Sequence, residues 1–569
     1  MGEGLIGRDR PSLNNEILYA NQSWLATFYV VAARRIAFLT HSQPMIRHCF
    51  FAASLTGVIA AADTTLPGEI TTPFPTIQHL AVEWQIEGDA NGNASCAVRF
   101  RKKGDEPWRA ERPLRRVPAG ASQKTSQPLV WTNRLSGTVF DLEPGTSYEI
   151  ELSLRDPDGG EATRVVEAVT RPEPIAAKEA VVRNGTQADL NAVKPGEVLL
   201  LADGDYGAVR FTRDGEPGRP IVYRSATGKA VFSEVGLTDR KWVYLEGVTV
   251  NGAVRLNGTE HCVVRRCQIN GQWGIKAYQP GMKNACIEDN VILGIQPWKP
   301  EIMGANGDND GEGIQFTGSG NVIRHNRVVG FRDCISHMED DGAVEQSCND
   351  ILNNDISTGL DDGIEADFAG HNCRILRNRL TNCFVGISSQ PGLGGPNYFL
   401  RNVMFNLTYS AFKLHRFSQG DVIQYNTVVK AGDGLGIYTS EPFDHALIQC
   451  NLFIGGKGPA MTFNGFSLGR GRAVDVQRFG PHCVFDHNAY VTHGLPFEGK
   501  IGSWTFTELP GKAYEAHGLA LTLAVLAKPV FPDDPQQLYE PPDLRLKAGS
   551  PEVGAYAEGE TLPRYGPRF

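Results

Sequence analysis

Apolar and polar residues alternate in short runs over most of the chain's second half, and the runs are punctuated by Gly, Asn and Asp. A period of two broken by turn formers predicts strands, not helices. Between Asn290 and Asn488 one phrase keeps returning: an apolar residue, two variable ones, Asn, then another apolar position. The clearest copies are Val322–Asn326, Ile351–Asn354, Ile375–Asn378, Phe399–Asn402, Val422–Asn426 and Leu447–Asn451. Their Asn residues, at 326, 354, 378, 402, 426 and 451, are 28, 24, 24, 24 and 25 positions apart. A steady period in the twenties means stacked coils, each burying its apolar side against its neighbours. Two or three short strands per coil predict an all-β chain containing a right-handed parallel β-helix over residues 180–495. The Leu-x-x-Leu-x-Leu phrase of the other common repeat of this length is absent. Asn suits the inward corner, because it tolerates left-handed backbone angles and its amide can bond the next coil.

Upstream, residues 70–172 form a separate unit. Leu80–Ile86, Ala97–Arg101 and Tyr148–Leu154 alternate as strands, and Leu142-Glu143-Pro144-Gly145-Thr146-Ser147-Tyr148 lies between the last two. This stretch resembles the tyrosine corner of fibronectin type III domains, with Trp84 at the place of that family's buried Trp. The resemblance implies a β-sandwich with its own core, acting as a spacer or docking module. Arg171-Pro172-Glu173-Pro174 reads as the linker. A short polar helical stretch from Gln187 to Val193 then caps the solenoid, whose open end would otherwise expose unpaired strand edges. These first coils are similar to those of secreted polysaccharide-lyase β-helices. Residues 496–569 read as a tail that packs on the solenoid.

Composition narrows the partners. At 569 residues more than one core is expected, and a net charge of −9 argues against nucleic acid. An acidic glycan would need a local cation or basic patch. Met45-Ile46-Arg47-His48 followed by the apolar run Cys49–Ala62 reads as a secretory signal over about 45–62, inside a leader spanning 1–62. The run is too short to span a membrane. The expected location is therefore outside the cytoplasm, secreted or periplasmic, and a monomer is expected. Ten of the eleven Cys follow the leader with no zinc-type pairing. Cys348 with Cys373, and Cys262 with Cys286, occupy similar places on adjacent coils; buried stacked thiols are favoured over disulfides.

Each coil also repeats a pair of the Gly-Ile kind: Gly274-Ile275, Gly313-Ile314, Cys334-Ile335, Gly363-Ile364, Gly386-Ile387, Ala411-Phe412 and Gly436-Ile437. With the apolar member inward, the following residue points outward. That ladder reads Lys276, Gln315, Ser336, Glu365, Ser388 and Lys413. The residues two further on are Tyr278, Thr317, Met338, Asp367, Gln390 and His415. The densest acidic stretch, Asp361-Asp362-Gly363-Ile364-Glu365-Ala366-Asp367, lies on its middle coils. Asp333 and Glu339-Asp340-Asp341 are on the coil before. Carboxylates packed this closely repel one another, and an oxygen-rich cluster suits Ca²⁺. With coils ~4.8 Å apart, Lys413 is expected about 10 Å along the wall from Glu365.

Asp361-Asp362-Gly363-Ile364-Glu365 resembles the Asp-Asp-Gly-x-Asp calcium motif of polysaccharide lyase family 9, with Glu standing where that motif has its last Asp. The resemblance implies a Ca²⁺ held by Asp333, Asp361, Asp362 and Glu365. It also implies β-elimination on a uronate-containing polysaccharide with Lys413 as base. His415 and Arg416 flank Lys413 and complete the candidate catalytic group, while Gln315, His337, Asp367 and Gln390 are candidates for holding the sugar. Two alternatives stay open. Asp310-Gly311-Glu312-Gly313-Ile314 and the 361 run also faintly resemble family 28 polygalacturonases, which would make paired carboxylates hydrolytic. A glycan-binding solenoid without catalysis is the third reading.

Overall fold

The structure is a computed structural model that describes residues 63–569, apart from 124, 127, 340–345 and 512. The expected leader and signal lie outside the described residues. Among those described, helix is confined to short 3₁₀ turns such as Gln187–Ala192.

Seven antiparallel strands form the first unit: β1 (Leu66–Thr71), β2 (Leu80–Glu87), β3 (Ser95–Lys102), β4 (Arg109–Val117), β5 (Arg134–Val139), β6 (Ser147–Arg155) and β7 (Glu161–Val169). They pair in the order β1-β2-β5-β4-β3-β6-β7. The surface folds over at β4, whose first part pairs with β3 and whose last three residues pair with β5. Both layers point their alternate apolar residues at one core containing Leu80, Val82, Trp84, Phe100, Leu135, Tyr148, Ile150 and Leu152. The Tyr148 hydroxyl accepts the Glu143 backbone N–H at 2.9 Å, so the corner at Leu142–Tyr148 closes on its own strand.

The rest is a right-handed parallel β-helix. A 13-stranded parallel sheet forms one wall, and a 19-stranded sheet wraps around others. The 3₁₀ turn Gln187–Ala192 lids the first coil: Leu190 is buried, and its carbonyl accepts the Tyr223 hydroxyl at 2.7 Å. Coil stacking continues past residue 495. Gly499–Ile501 pairs in parallel with Val474–Val476, and Leu519 pairs with Ala489. The remaining tail lays Leu526, Phe531, Leu544, Leu546 and Tyr556 over Phe405, Val429, Leu452 and Ile454.

The repeated Asn residues form an unbroken buried ladder. Asn354 donates its backbone N–H and its Nδ2 to Oδ1 of Asn378, at 2.9 and 3.0 Å, and Nδ2 also reaches the Ile323 carbonyl on the preceding coil. Equivalent bonds run from Asn290 through Asn326, Asn378, Asn402, Asn426 and Asn451 to Asn488. The ladder ends on the Glu515 carboxylate. One expectation is corrected here. The left-handed residue is the one before each Asn (Asp289, His325, Asn353, Arg377, Arg401, Tyr425, Cys450 and His487, φ 55–59°), not the Asn itself. The preceding residue makes the turn, which leaves the Asn free to point inward and bond two coils at once.

The sandwich and solenoid share a buried polar seam. Asp350 accepts from Arg374 Nε at 2.5 Å and lies 2.9 Å from Nδ1 of His79 on the sandwich side, all three with fully buried side chains. Arg377 makes two bonds to Asp141, and Phe140 packs edge-on against Tyr398. In the linker, Glu173 pairs with Arg324 at 2.5 Å. The ten described cysteines are all free thiols, and those at 262, 286, 348 and 373 are buried.

Candidate functional site

Five strands of the wrapping sheet build the site: β8 (Glu312–Phe316), β9 (Asp333–His337), β10 (Asp355–Glu365), β11 (Arg379–Ser389) and β12 (Val403–Leu414). Ile275, Ile314, Ile335, Ile364, Ile387 and Phe412 register in one line, and all are fully buried in the solenoid core. The residue after each forms the outward ladder Lys276–Gln315–Ser336–Glu365–Ser388–Lys413. Ile437 leaves this line and pairs with Val476 in a separate four-stranded sheet. The wall is less open than its outward direction suggests. Ser336, Ser388 and Lys413 are buried, and on the same strands Leu360, Phe384 and Tyr409 pack with Met303, Phe463 and Phe466.

One position before the Gly-Ile pair, a second ladder is acidic. Glu312 registers with Asp333, and the Asp333 carboxylate accepts the backbone N–H of Asp362 at 2.7 Å. A register shift lies just before Asp362, between Gly359 and Asp362. One oxygen each from Asp333, Asp362 and Glu365 lie within 4.8 Å of one another, as do oxygens of Glu339, Glu365 and Asp367. Lys413 reaches back two coils to this cluster, with Nζ 2.6 Å from Asp362 Oδ2. Lys413 keeps the expected two-coil register from Glu365, and its side chain reaches the acidic run at Asp362. The Lys413 stem and the Asp362 side chain together close the gap of two coil spacings, and the burial demands a partner.

Charge is poorly balanced here. Burial first, then the neighbouring acids, push the Asp333 and Glu365 carboxyls well above the usual range. Asp367 is pushed up by burial and then by Asp362 and Glu339, against the pull of Lys413. Glu312 and Asp362 are each pushed up to about 7, again chiefly by burial. Burial pulls the Lys413 ammonium down, but Asp362, Asp361, Asp367 and Glu365 outweigh it and hold the pKa well above the ordinary lysine value. Burial therefore favours the free amine that a base requires, and in this arrangement the carboxylates oppose it and prevail.

The other predicted residues separate. Asp361 turns from the three-oxygen cluster toward Arg332, whose Nη2 is 3.6 Å away. Asp367 is buried; its Oδ1 accepts from Ser388 Oγ at 2.5 Å and from the Gln390 backbone at 2.9 Å. His337 is not on the outer wall. It is fully buried with its ring edge-on to Phe316 at 4.8 Å, and burial lowers its pKa to about 4. It sits two residues after inward Ile335, so strand alternation itself sends it inside. Gln315, Gln390, His415 and Arg416 are half-buried along the wall. Burial and then the Lys413 charge lower His415 to about 4, and Arg416 lies 3.8 Å from Glu339.

Two site residues went unassigned in the sequence. Glu312 accepts Ser336 Oγ at 3.1 Å, and Arg332 lies 3.4 Å from Asp333. Glu312 precedes Gly313-Ile314 as Asp333 and Asp362 precede their own pairs, so alignment of the repeats carried that signal. Arg332 had none, because its role depends on where Asp361 turns.

The donors fit a hard cation. Asp362 Oδ1 and Asp367 Oδ2 are buried with no hydrogen-bond partner among the described residues, and the convergent ligands are all carboxylate oxygens, as Ca²⁺ prefers.

Residues 252–413 match a family model described as a right handed beta helix region, which spans the whole ladder from Arg255 to Lys413. No curated protein matches the chain. Among solved structures it is similar to a family 28 exopolygalacturonase of Yersinia enterocolitica, at 11% identity over 74% of this chain and 99% of that one, with a TM-score of 0.27. A likeness that low carries no argument about activity.

Proposed function

We propose that the protein cleaves a uronate-containing polysaccharide by β-elimination, with Ca²⁺ held by Asp333, Asp362 and Glu365 and with Lys413 as the base. The observation that carries this reading is the convergence of those three carboxylates on neighbouring coils, with Lys413 Nζ 2.6 Å from one of them. A bound Ca²⁺ would neutralise the sugar carboxylate and so acidify the adjacent C5 proton. Lys413 takes that proton, the C4–C5 double bond forms, and the C4–oxygen bond breaks. The charges that raise the Lys413 pKa come from the acidic cluster, whereas its burial favours the neutral amine a base requires. Engaging the cluster therefore moves Lys413 toward its working state. Half-buried Gln315, Gln390, His415 and Arg416 line the wall on which the chain would lie.

Hydrolysis is the second reading, favoured by one observation. Burial pushes the Glu312 carboxyl up to about 7, the range of a general acid, and Asp333 lies on the next coil. Neighbouring coils put carboxyls about 5 Å apart and alternate coils about 10 Å. Incubating the full chain with a panel of uronate polymers, with and without a chelator, separates the readings. Elimination gives an ultraviolet-absorbing unsaturated end that disappears with chelator. Hydrolysis gives reducing ends without that absorbance, and a binder gives neither product.

A further inference from the structure

The last coils carry the same side-chain arrangement twice. The edge strand of the 13-stranded sheet is β13 (Val484–Asp486). Before it, Asp444 and His445 meet His482; after it, Asp486 and His487 meet His517. In both groups the Asp Oδ1 is fixed by two backbone N–H groups. Asp444 takes those of His445 (2.8 Å) and His482 (3.0 Å), and Asp486 those of His487 (2.9 Å) and His517 (2.8 Å). The second oxygen, Oδ2, then faces two imidazole Nδ1 atoms. The separations are 2.9 Å (His482) and 3.7 Å (His445) in one group, and 2.8 Å (His517) and 3.2 Å (His487) in the other.

Backbone N–H groups account for Oδ1, and bonds to Oδ2 account for His482 and His517, but nothing of this kind accounts for His445. His445 Nδ1 is buried and has no hydrogen-bond partner among the described residues, although it belongs to the ring nearest the carboxylate along the chain. A carboxylate oxygen and two imidazole nitrogens within 4.8 Å are a ligand set for a borderline cation. Metal–ligand bonds of about 2.0–2.1 Å at tetrahedral angles put ligand atoms about 3.3 Å apart, which is the middle of the separations observed. The anchoring of Oδ1 supplies the outer hydrogen bonds that orient such ligands. The rings stack at 4.4 Å in both groups, so the outer ring must turn to aim its lone pair. His482 and His517, with side chains 60% and 65% exposed, are free to do so.

We propose that these two groups are twin sites for a divalent transition cation such as Zn²⁺, each offering one carboxylate oxygen and two imidazoles and leaving a position open to water. Each would tie a coil to the next at one end of β13 and so staple the solenoid where its sheet runs out. Neither site shares a residue with the acidic cluster, so the proposal stands apart from the reading of that cluster.

The test is metal stoichiometry on the full chain, with Ca²⁺ kept saturating to block oxygen-only sites. Zn²⁺ binding is followed by calorimetry, and Co²⁺ by its visible absorption. Two equivalents are expected for the unaltered protein, one each for His482→Ala and His517→Ala, and none at comparable affinity for the double variant. Both histidines are exposed, so the variants should fold, and circular dichroism checks that they do. Zn²⁺ should raise the unfolding temperature of the unaltered protein and not that of the double variant. Stoichiometry unchanged by either substitution, or no binding at micromolar cation, would overturn the proposal.

Discussion

Lys413 and Asp362 make opposite demands on each other. Paired at 2.6 Å and buried, they neutralise one another, and a base in that state is blocked. Lys413→Ala should reduce elimination by at least about 10²-fold, the usual contribution of a positioned acid or base. Ca²⁺ affinity in that variant should be retained or rise, because a competing cation has been removed; calorimetry and initial rates on one preparation check both. The raised carboxyls also fix a pH dependence. Unfolded, they titrate near ~4; folded, Glu312 and Asp362 sit at about 7, with Asp333, Glu365 and Asp367 also raised. The stability tied to their protons is full below the unfolded value and is lost as pH rises through 7. In chelator the unfolding temperature should therefore fall from pH 5 to pH 8, and Ca²⁺ should restore more of it at pH 8 than at pH 5. A chelated protein no less stable at pH 8 would remove the acidic cluster as the cause.

Among the elements, the Asn ladder bears most directly on the fold. Asn378→Ala leaves the Asn354 backbone N–H and the Ile351 carbonyl buried without partners. At about 1–3 kcal/mol for each of the two groups, a loss of about 2–6 kcal/mol is expected in denaturant unfolding. Cys450→Gly, at a left-handed position, should be within about 1 kcal/mol of neutral. Equal effects from the two would mean that the corner, and not the amide ladder, holds the coils. Much of this level was legible in the sequence. The 24-residue interval and the Gly-Ile pairs give the coil and its register, because a parallel stack forces equivalent residues into line. Local bends were not legible. The shift between Gly359 and Asp362, and the approach of Asp362 to Glu365 three residues on, are announced by nothing in the alternation. His337 shows the converse, since alternation already placed it inside and its chemistry alone suggested a surface role.

At the scale of the whole molecule, the sandwich is bound into the solenoid wall. Asp350 lies between His79 and Arg374 with no solvent access. Replacing Arg374 by Met would remove the charged partner of that carboxylate and should cost about 3–5 kcal/mol, read as a lower unfolding midpoint. The two units should also unfold in one calorimetric transition, with the Arg171–Pro174 linker resisting protease while both are folded; two separated transitions would contradict the shared seam. The pattern of strands and the Pro-rich linker made the two units visible in the sequence, but not their contact. Asp350 and Arg377 sit on consecutive copies of the Asn repeat, but nothing in the periodicity links them to His79 and Asp141.

The acidic wall is tested most directly by following the unsaturated, ultraviolet-absorbing product on a uronate polymer as Ca²⁺ is titrated into chelator-stripped protein, beside Lys413→Ala. Absorbance should grow with Ca²⁺, saturate as the site fills, and stay at baseline in the variant. Reducing ends formed without that absorbance, or full activity in the variant, would contradict elimination at Lys413.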